Sequence, residues 1–155
     1  MDAYGALAFL STLGVVDPDR IGLIGWSHGG ITALGATNAN GIGSQFDGSF
    51  QAIAAVYPYC IPDRTFTVPA IVLIGEADDW TPASACRELE QHNKERQTGL
   101  KLVVYPEAFH AFDNPAVGAG FFFKAAPGQR HWLQYNQKAH EDALERLVSF
   151  FRQAL

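Results

Sequence analysis

No apolar run in this 155-residue chain reaches the roughly 20 residues that a membrane-spanning helix needs, so no bilayer crossing is expected. Basic clusters are missing too. Lys and Arg number 11 against 16 Asp and Glu, giving a formal net charge of −5, and this balance disfavours a nucleic-acid surface. Cysteine is scarce. Cys60 and Cys86 stand in no C-x-x-C pair, and no histidine is spaced to complete a zinc site, which argues against a structural metal. Whether the two are bridged stays open, because spacing does not reveal whether their Cα atoms come within the roughly 4.4–6.8 Å that a disulfide requires. The start Met1-Asp2-Ala3-Tyr4 carries an acid where an export signal carries Lys or Arg. The chain as written therefore reads as cytoplasmic, and a periplasmic or secreted location would depend on a preceding segment. Internal repeats and low-complexity tracts are also lacking.

What the chain does have is apolar material. With 48% hydrophobic and 17% charged residues it can form one domain spanning residues 1–155, since chains of this length bury roughly 68–70% of their unfolded surface. Short β-branched runs alternate with longer stretches of helical period, the pattern of a parallel sheet covered by helices. Strands are expected over 20–24, 52–57, 70–74 and 101–105; Asp17-Pro18-Asp19 precedes the first, and Pro58, Gly75 and Pro106 close the others. Helices are expected over about 2–12, 27–38, 83–97 and 139–154. The last has the clearest stripe, Ala143, Leu144, Leu147, Val148, Phe151 and Leu155, which predicts the face lying on the sheet. Residues 113–137, rich in Gly, Pro and aromatics without a clean period, read as a long ordered loop.

Directly after the first strand stands Gly25-Trp26-Ser27-His28-Gly29-Gly30, a G-x-S-x-G pattern at a strand-to-helix junction. With fifteen glycines the bare pattern arises easily by chance, and it is the strand before and the helix after that give it meaning. Small residues on both sides allow a sharp turn that lifts the Ser27 hydroxyl off the sheet, while the following helix points its positive end at any anion formed there. A serine hydroxyl needs a base to take its proton and an acid to orient that base. Both stand downstream: Gly75-Glu76-Ala77-Asp78-Asp79-Trp80-Thr81-Pro82 follows the third strand and Tyr105-Pro106-Glu107-Ala108-Phe109-His110-Ala111-Phe112 the fourth. In a parallel sheet these loops and the Ser27 turn emerge at one rim, where open α/β sheets bind ligands.

On these three segments, the chain from about Tyr4 to Leu155 resembles the C-terminal half of the dienelactone hydrolase family, within the α/β-hydrolase superfamily. The resemblance implies a partial α/β-hydrolase fold of about four parallel strands with flanking helices, without the usual N-terminal strands. It implies Ser27 as nucleophile, His110 as base and Asp78 as acid, since the family's acid stands four residues before the proline, here Pro82; Asp79 is the weaker candidate. Dienelactone hydrolases proper carry Cys where this chain has Ser27, which shifts the expected chemistry toward general carboxylic esters and lactones. The His28 backbone N–H would supply one oxyanion donor. The family's second donor comes from the N-terminal part, so a non-catalytic or weakly active binding or assembly subunit, or a gene fragment, stands as the rival reading.

Trp26, Trp80 and Phe112 adjoin the three candidates and are expected either to wall an apolar substrate pocket or to be core aromatics. The His28 side chain is expected to pack against its neighbours, His92 and His140 to be solvated, and His131 to sit on the surface or line a pocket. No cofactor or metal is expected, and the partner is a small ester or lactone. One edge of strand 20–24 would lack a strand neighbour, so a homo-oligomer or complementing chain is expected to cover it.

Overall fold

The computed structural model describes residues 2–155. Helix α1 (Asp2–Ser11) leads through a single 3-10 turn at Pro18–Arg20 into β1 (Gly22–Trp26), followed by α2 (His28–Ala36), β2 (Ala52–Val56), β3 (Ala70–Gly75), α3 (Ala83–Glu95) and β4 (Leu100–Tyr105). An antiparallel hairpin, β5 (Phe121–Ala126) and β6 (Gln129–Leu133), precedes the last helix, α4 (Gln137–Ala154). The four main strands form one parallel sheet in the order β1-β2-β3-β4.

Sequence dictates which strands lie inside. Ala52-Ile53-Ala54-Ala55-Val56 and Ala70-Ile71-Val72-Leu73-Ile74-Gly75 are continuous small and β-branched runs, and every one of these residues is buried, as strands covered on both faces require. β1 and β4, at the two edges, are half-buried along most of their length. Helix α2 packs on β1 and β2, α3 on β3 and β4, and α4 on β2. A smaller cluster of Tyr4, Leu7, Ile21, Ala36 and Phe50 seats α1, with the Tyr4 hydroxyl donating to the Ala36 carbonyl at 2.7 Å. Cys60 and Cys86, 5.0 Å apart at Cα, form a disulfide joining the loop after β2 to α3.

Three expectations need correction. The first strand begins at Gly22 rather than residue 20, because the Asp17 side chain caps Asp19 N–H at 3.0 Å and extends the turn through Arg20. Helix α4 buries Ala139, Ala143, Leu147 and Phe150, leaving Leu144 and Val148 exposed, so the stripe turned to the sheet is narrower than the run of apolar residues. Its alanines face the core, and Phe151 and Leu155 close on β1 so tightly that a Cβ on Gly22 would stand 2.5 Å from the Phe151 ring. The segment expected to be a loop contains the hairpin, which pairs Phe121 with Leu133, Phe122 with Trp132, Phe123 with His131 and Lys124 with Arg130, with a bulge between Lys124 and Ala126. Three phenylalanines in a row hide the alternation that marks a strand, and Gly128, at φ +80°, turns the chain at the tip.

Candidate active site

Strand β1 ends where Ser27 takes φ 50° and ψ −117°, a left-handed conformation that a non-glycine residue rarely holds. Two hydrogen bonds fix it: Ser27 N–H donates to the Val56 carbonyl at 2.9 Å, and Ile31 N–H donates to the Ser27 carbonyl at 3.1 Å. The glycines divide the task unevenly. A Cβ on Gly25 would stand 2.1 Å from the Gly29 carbonyl oxygen, and one on Gly30 3.1 Å from Pro58, whereas one on Gly29 would meet open space. Gly25 and Gly30 therefore allow the close crossing of strand and helix. Ser27 makes no capping bond with its side chain, so its hydroxyl is free for other partners.

That partner is His110, whose Nε2 lies 2.9 Å from Ser27 Oγ and whose Nδ1 lies 2.8 Å from Asp78 Oδ2. His110 and Asp78 are both buried. With Asp78 as acceptor, the chemistry assigns the proton to Nδ1 and leaves Nε2 to accept from the serine hydroxyl. The loop carrying His110 holds Glu107 and Ala111 at φ 58° and 60°, and it crosses the end of β3 closely: a Cβ on Gly75 would stand 2.1 Å from the Ala108 carbonyl oxygen. Ala77 N–H donates to that same carbonyl at 3.0 Å, tying the acid turn to the histidine loop.

Asp78 is surrounded by donors. Oδ1 accepts from the N–H groups of Trp80 at 2.9 Å and Thr81 at 2.8 Å, while Oδ2 faces the Thr81 hydroxyl at 2.8 Å and His110. Both oxygens of this buried side chain therefore have hydrogen-bond partners. No buried side-chain nitrogen or oxygen lacks a partner among the described residues. Asp79 is exposed and does not meet His110; its carboxylate accepts from Trp132 N–H at 3.2 and 3.3 Å.

A second set of polar contacts runs beside this line. Tyr57, also left-handed at φ 39°, lays its ring 4.6 Å from the His110 ring and donates its hydroxyl to Asp113 Oδ1 at 2.8 Å. Trp26 donates its indole N–H to Asp113 Oδ2 at 2.6 Å, so one carboxylate spans the serine turn, β2 and the histidine loop. Burial, and then the Asp113 charge, push the Tyr57 phenol well above its ordinary pKa, so it stays a donor. Thr81, Tyr57 and Asp113 escaped the sequence reading. Their only signals were position, since Thr81 precedes Pro82 and Asp113 stands three residues after His110.

The other named residues divide. Trp26 is 43% exposed beside Ser27, and Trp80 is half-buried with its ring 4.9 Å from His110. Phe112 is not a pocket wall: it is fully buried between Tyr57 and Tyr105, at 5.5 and 5.1 Å between ring centres, because its backbone turns it under the rim into the core. The His28 side chain is exposed, while its N–H belongs to the first turn of α2, whose donors have no partner within the helix. His92 and His140 are half-buried rather than fully solvated, facing the Thr65 hydroxyl at 3.1 Å and the Tyr135 hydroxyl at 3.2 Å. His131 stacks on Trp80, 4.9 Å away and 7° from parallel. Among the described residues no three His, Cys, Asp or Glu side chains gather to hold a metal, and no helix is long and apolar enough to cross a membrane.

Set beside known proteins, residues 1–155 match the model of the dienelactone hydrolase family. A Bradyrhizobium sp protein described as "Probable 2-oxo-3-(5-oxofuran-2-ylidene)propanoate lactonase" is 29% identical over 117 residues, covering 72% of this chain and 47% of its own length. The crystal structure of the dienelactone hydrolase-like promiscuous phosphotriesterase P91, from metagenomic libraries, superposes with a TM-score of 0.72 at 20% identity, over 96% of this chain and 58% of that one. The carboxylesterase Cest-2923 from Lactobacillus plantarum WCFS1 gives 0.69 at 18% identity, over 97% and 66%. At such identities the structural likeness speaks for the fold. This chain spans about half the length of the curated relative and under two thirds of the solved structure of P91.

Proposed function

Since this chain belongs to the dienelactone hydrolase family, we propose that it is a serine hydrolase of small carboxylic esters or lactones. The observation that carries the proposal is the hydrogen-bonded line from Ser27 through His110 to Asp78, with Ser27 held in a left-handed turn at the head of α2. In this reading Ser27 Oγ attacks the substrate carbonyl carbon as His110 Nε2 takes its proton, and Asp78 stabilises the resulting imidazolium. The His28 N–H donates to the oxyanion, aided by the positive end of α2. Collapse of the tetrahedral intermediate expels the alcohol, which takes the proton from His110 and leaves the acyl group on Ser27. Water then attacks the acyl-enzyme, giving its proton to His110, and the second collapse releases the acid and restores the serine. In a lactone the leaving alcohol stays attached to the acyl group, so one hydroxy acid is released.

Supporting this chemistry are the family match over residues 1–155 and the probable lactonase that is 29% identical over 117 residues. The test is turnover of p-nitrophenyl acetate by wild type and Ser27→Ala: the variant should fall to the uncatalysed background, and equal rates would refute the proposal.

A partner belongs to the same reading. β1 is an edge strand whose Leu23 and Ile24 are half-buried, and an unpaired apolar edge invites another chain. We propose that a second copy or a complementing chain covers it. Sedimentation at micromolar concentration should show self-association, or association with the complementing chain, that Ile24→Lys weakens; a monodisperse monomer that binds no such chain would remove this part.

A further inference from the structure

The β5–β6 hairpin has little burial to hold it: all ten residues from Phe121 to Arg130 are exposed, and a lone two-stranded hairpin is marginal in water. Its position depends on a few attachments: Tyr135 N–H donates to the Gly118 carbonyl at 3.1 Å, and the others reach the rim around Ser27. At the base, Leu133 is bridged in parallel to His110, Gln134 N–H donates to the His110 carbonyl at 3.3 Å, and Asn136 N–H donates to the Phe112 carbonyl at 2.9 Å. Farther out, the Asp79 carboxylate accepts from Trp132 N–H, and the Asp79 carbonyl lies 3.1 Å from His131 Nδ1. Between these attachments lies Trp80. Its N–H is committed to Asp78, and its ring touches the His110 ring at 4.9 Å, the His131 ring at 4.9 Å and the Phe123 ring at 5.4 Å. Phe123 and His131 are cross-strand partners in the hairpin.

The acid turn thus carries two neighbouring carboxylates with separate attachments: Asp78 meets His110, and Asp79 meets the hairpin. We propose that Asp79 is a positioning residue, a clasp that keeps the hairpin closed on Trp80 and so keeps the Trp80, His131 and Phe123 rings packed over the His110 side of the rim. The proposal rests on the esterase reading above and adds a residue to it. Releasing the clasp frees the hairpin beyond its base, removes the stacking partners of Trp80 and lets water reach His110. The imidazole then loses one of the ring contacts that, beside its bond to Asp78 and the Tyr57 ring, align Nε2 with Ser27 Oγ. The effect falls on kcat, because it acts through Trp80 on the alignment of His110 with Ser27.

Two substitutions separate this role from its rivals. In Asp79→Ala, kcat on p-nitrophenyl acetate should drop about tenfold with KM within about twofold, since small misplacements of a reacting group cost rate rather than binding. The pH profile of kcat/KM should shift as water gains access to His110, and hydrogen exchange at Trp132 N–H should quicken about tenfold as its acceptor is lost. In Asp79→Asn the side-chain oxygen still accepts from Trp132, so kcat should return to within about threefold of wild type and exchange should stay slow. Wild-type kcat and wild-type exchange in Asp79→Ala would overturn the proposal. So would an Asp79→Asn variant as inactive as Asp79→Ala beside an active Asp78→Asn, since that result makes Asp79 the acid itself. If wild type neither hydrolysed esters nor reacted with a fluorophosphonate, the esterase reading would fail, and Trp132 exchange would still decide whether Asp79 holds the hairpin.

Discussion

The rim around Asp78 and the hairpin beyond Asp79 are adjacent regions held by different forces. At the rim, buried polar atoms are fully paired: Asp78 gathers two backbone N–H groups, the Thr81 hydroxyl and His110, and its surroundings are apolar core. On the hairpin, ten consecutive exposed residues rely on cross-strand ring contacts, such as Phe122 against Trp132 at 4.8 Å and Arg130 over Phe122 at 4.9 Å. The difference teaches where precision comes from. Burial makes an unmade hydrogen bond expensive, so the rim has one arrangement, whereas the exposed hairpin can lose a contact to water at small cost.

The largest test of that contrast is Asp78→Asn. A neutral amide offers a donor where His110 Nδ1–H must donate, favours the wrong tautomer and should lower kcat by about 10⁴, read by steady-state hydrolysis of p-nitrophenyl acetate. An active Asp78→Asn would erase the distinction between the two aspartates. Next is Thr81→Val, which keeps the shape but removes a hydroxyl from Oδ2 of a buried carboxylate. Its kcat/KM should fall about tenfold to a hundredfold, as hydrogen bonds to charged groups contribute about 1.5–3 kcal/mol. Thr81→Ser should restore most of the loss, and a fully active Thr81→Val would show that the backbone donors suffice. The smallest effect belongs to the hairpin's exposed rings: Phe122→Ser should change unfolding stability by no more than about 0.5 kcal/mol in urea titration. A loss of several kcal/mol there would mean that the hairpin is part of the core.

The same contrast explains what the sequence disclosed. The loops that bring Ser27, Asp78 and His110 to one rim were legible, because β-branched runs fix the strands and a parallel sheet sends its C-terminal ends to one side. Glycines added detail, since Gly25 and Gly75 sit where a side chain would collide with a crossing backbone. Thr81, Tyr57 and Asp113 were not legible. For Tyr57 and Asp113 the significance lies in contacts across the chain, as far as the 87 positions from Trp26 to Asp113, which no local pattern encodes, whereas Thr81 bonds Asp78 three residues away and stood in a quoted motif with no feature marking its hydroxyl. The hairpin was missed for a different reason. With all of β5 exposed and only the His131–Leu133 end of β6 half-buried, little in its composition needs to alternate, and period-two patterning appears only where one face must be buried. Phe112 was ambiguous for a related reason, because an aromatic beside a rim residue can turn outward or inward and only packing decides.

The central claim, that Ser27 is a nucleophile activated by His110, is tested most directly by treating the folded protein with a fluorophosphonate and locating the adduct by peptide mass spectrometry. A single adduct on Ser27, absent after His110→Ala, is the predicted result. A folded protein that takes no label, or takes it on another residue while Ser27 stays unmodified, would contradict the account.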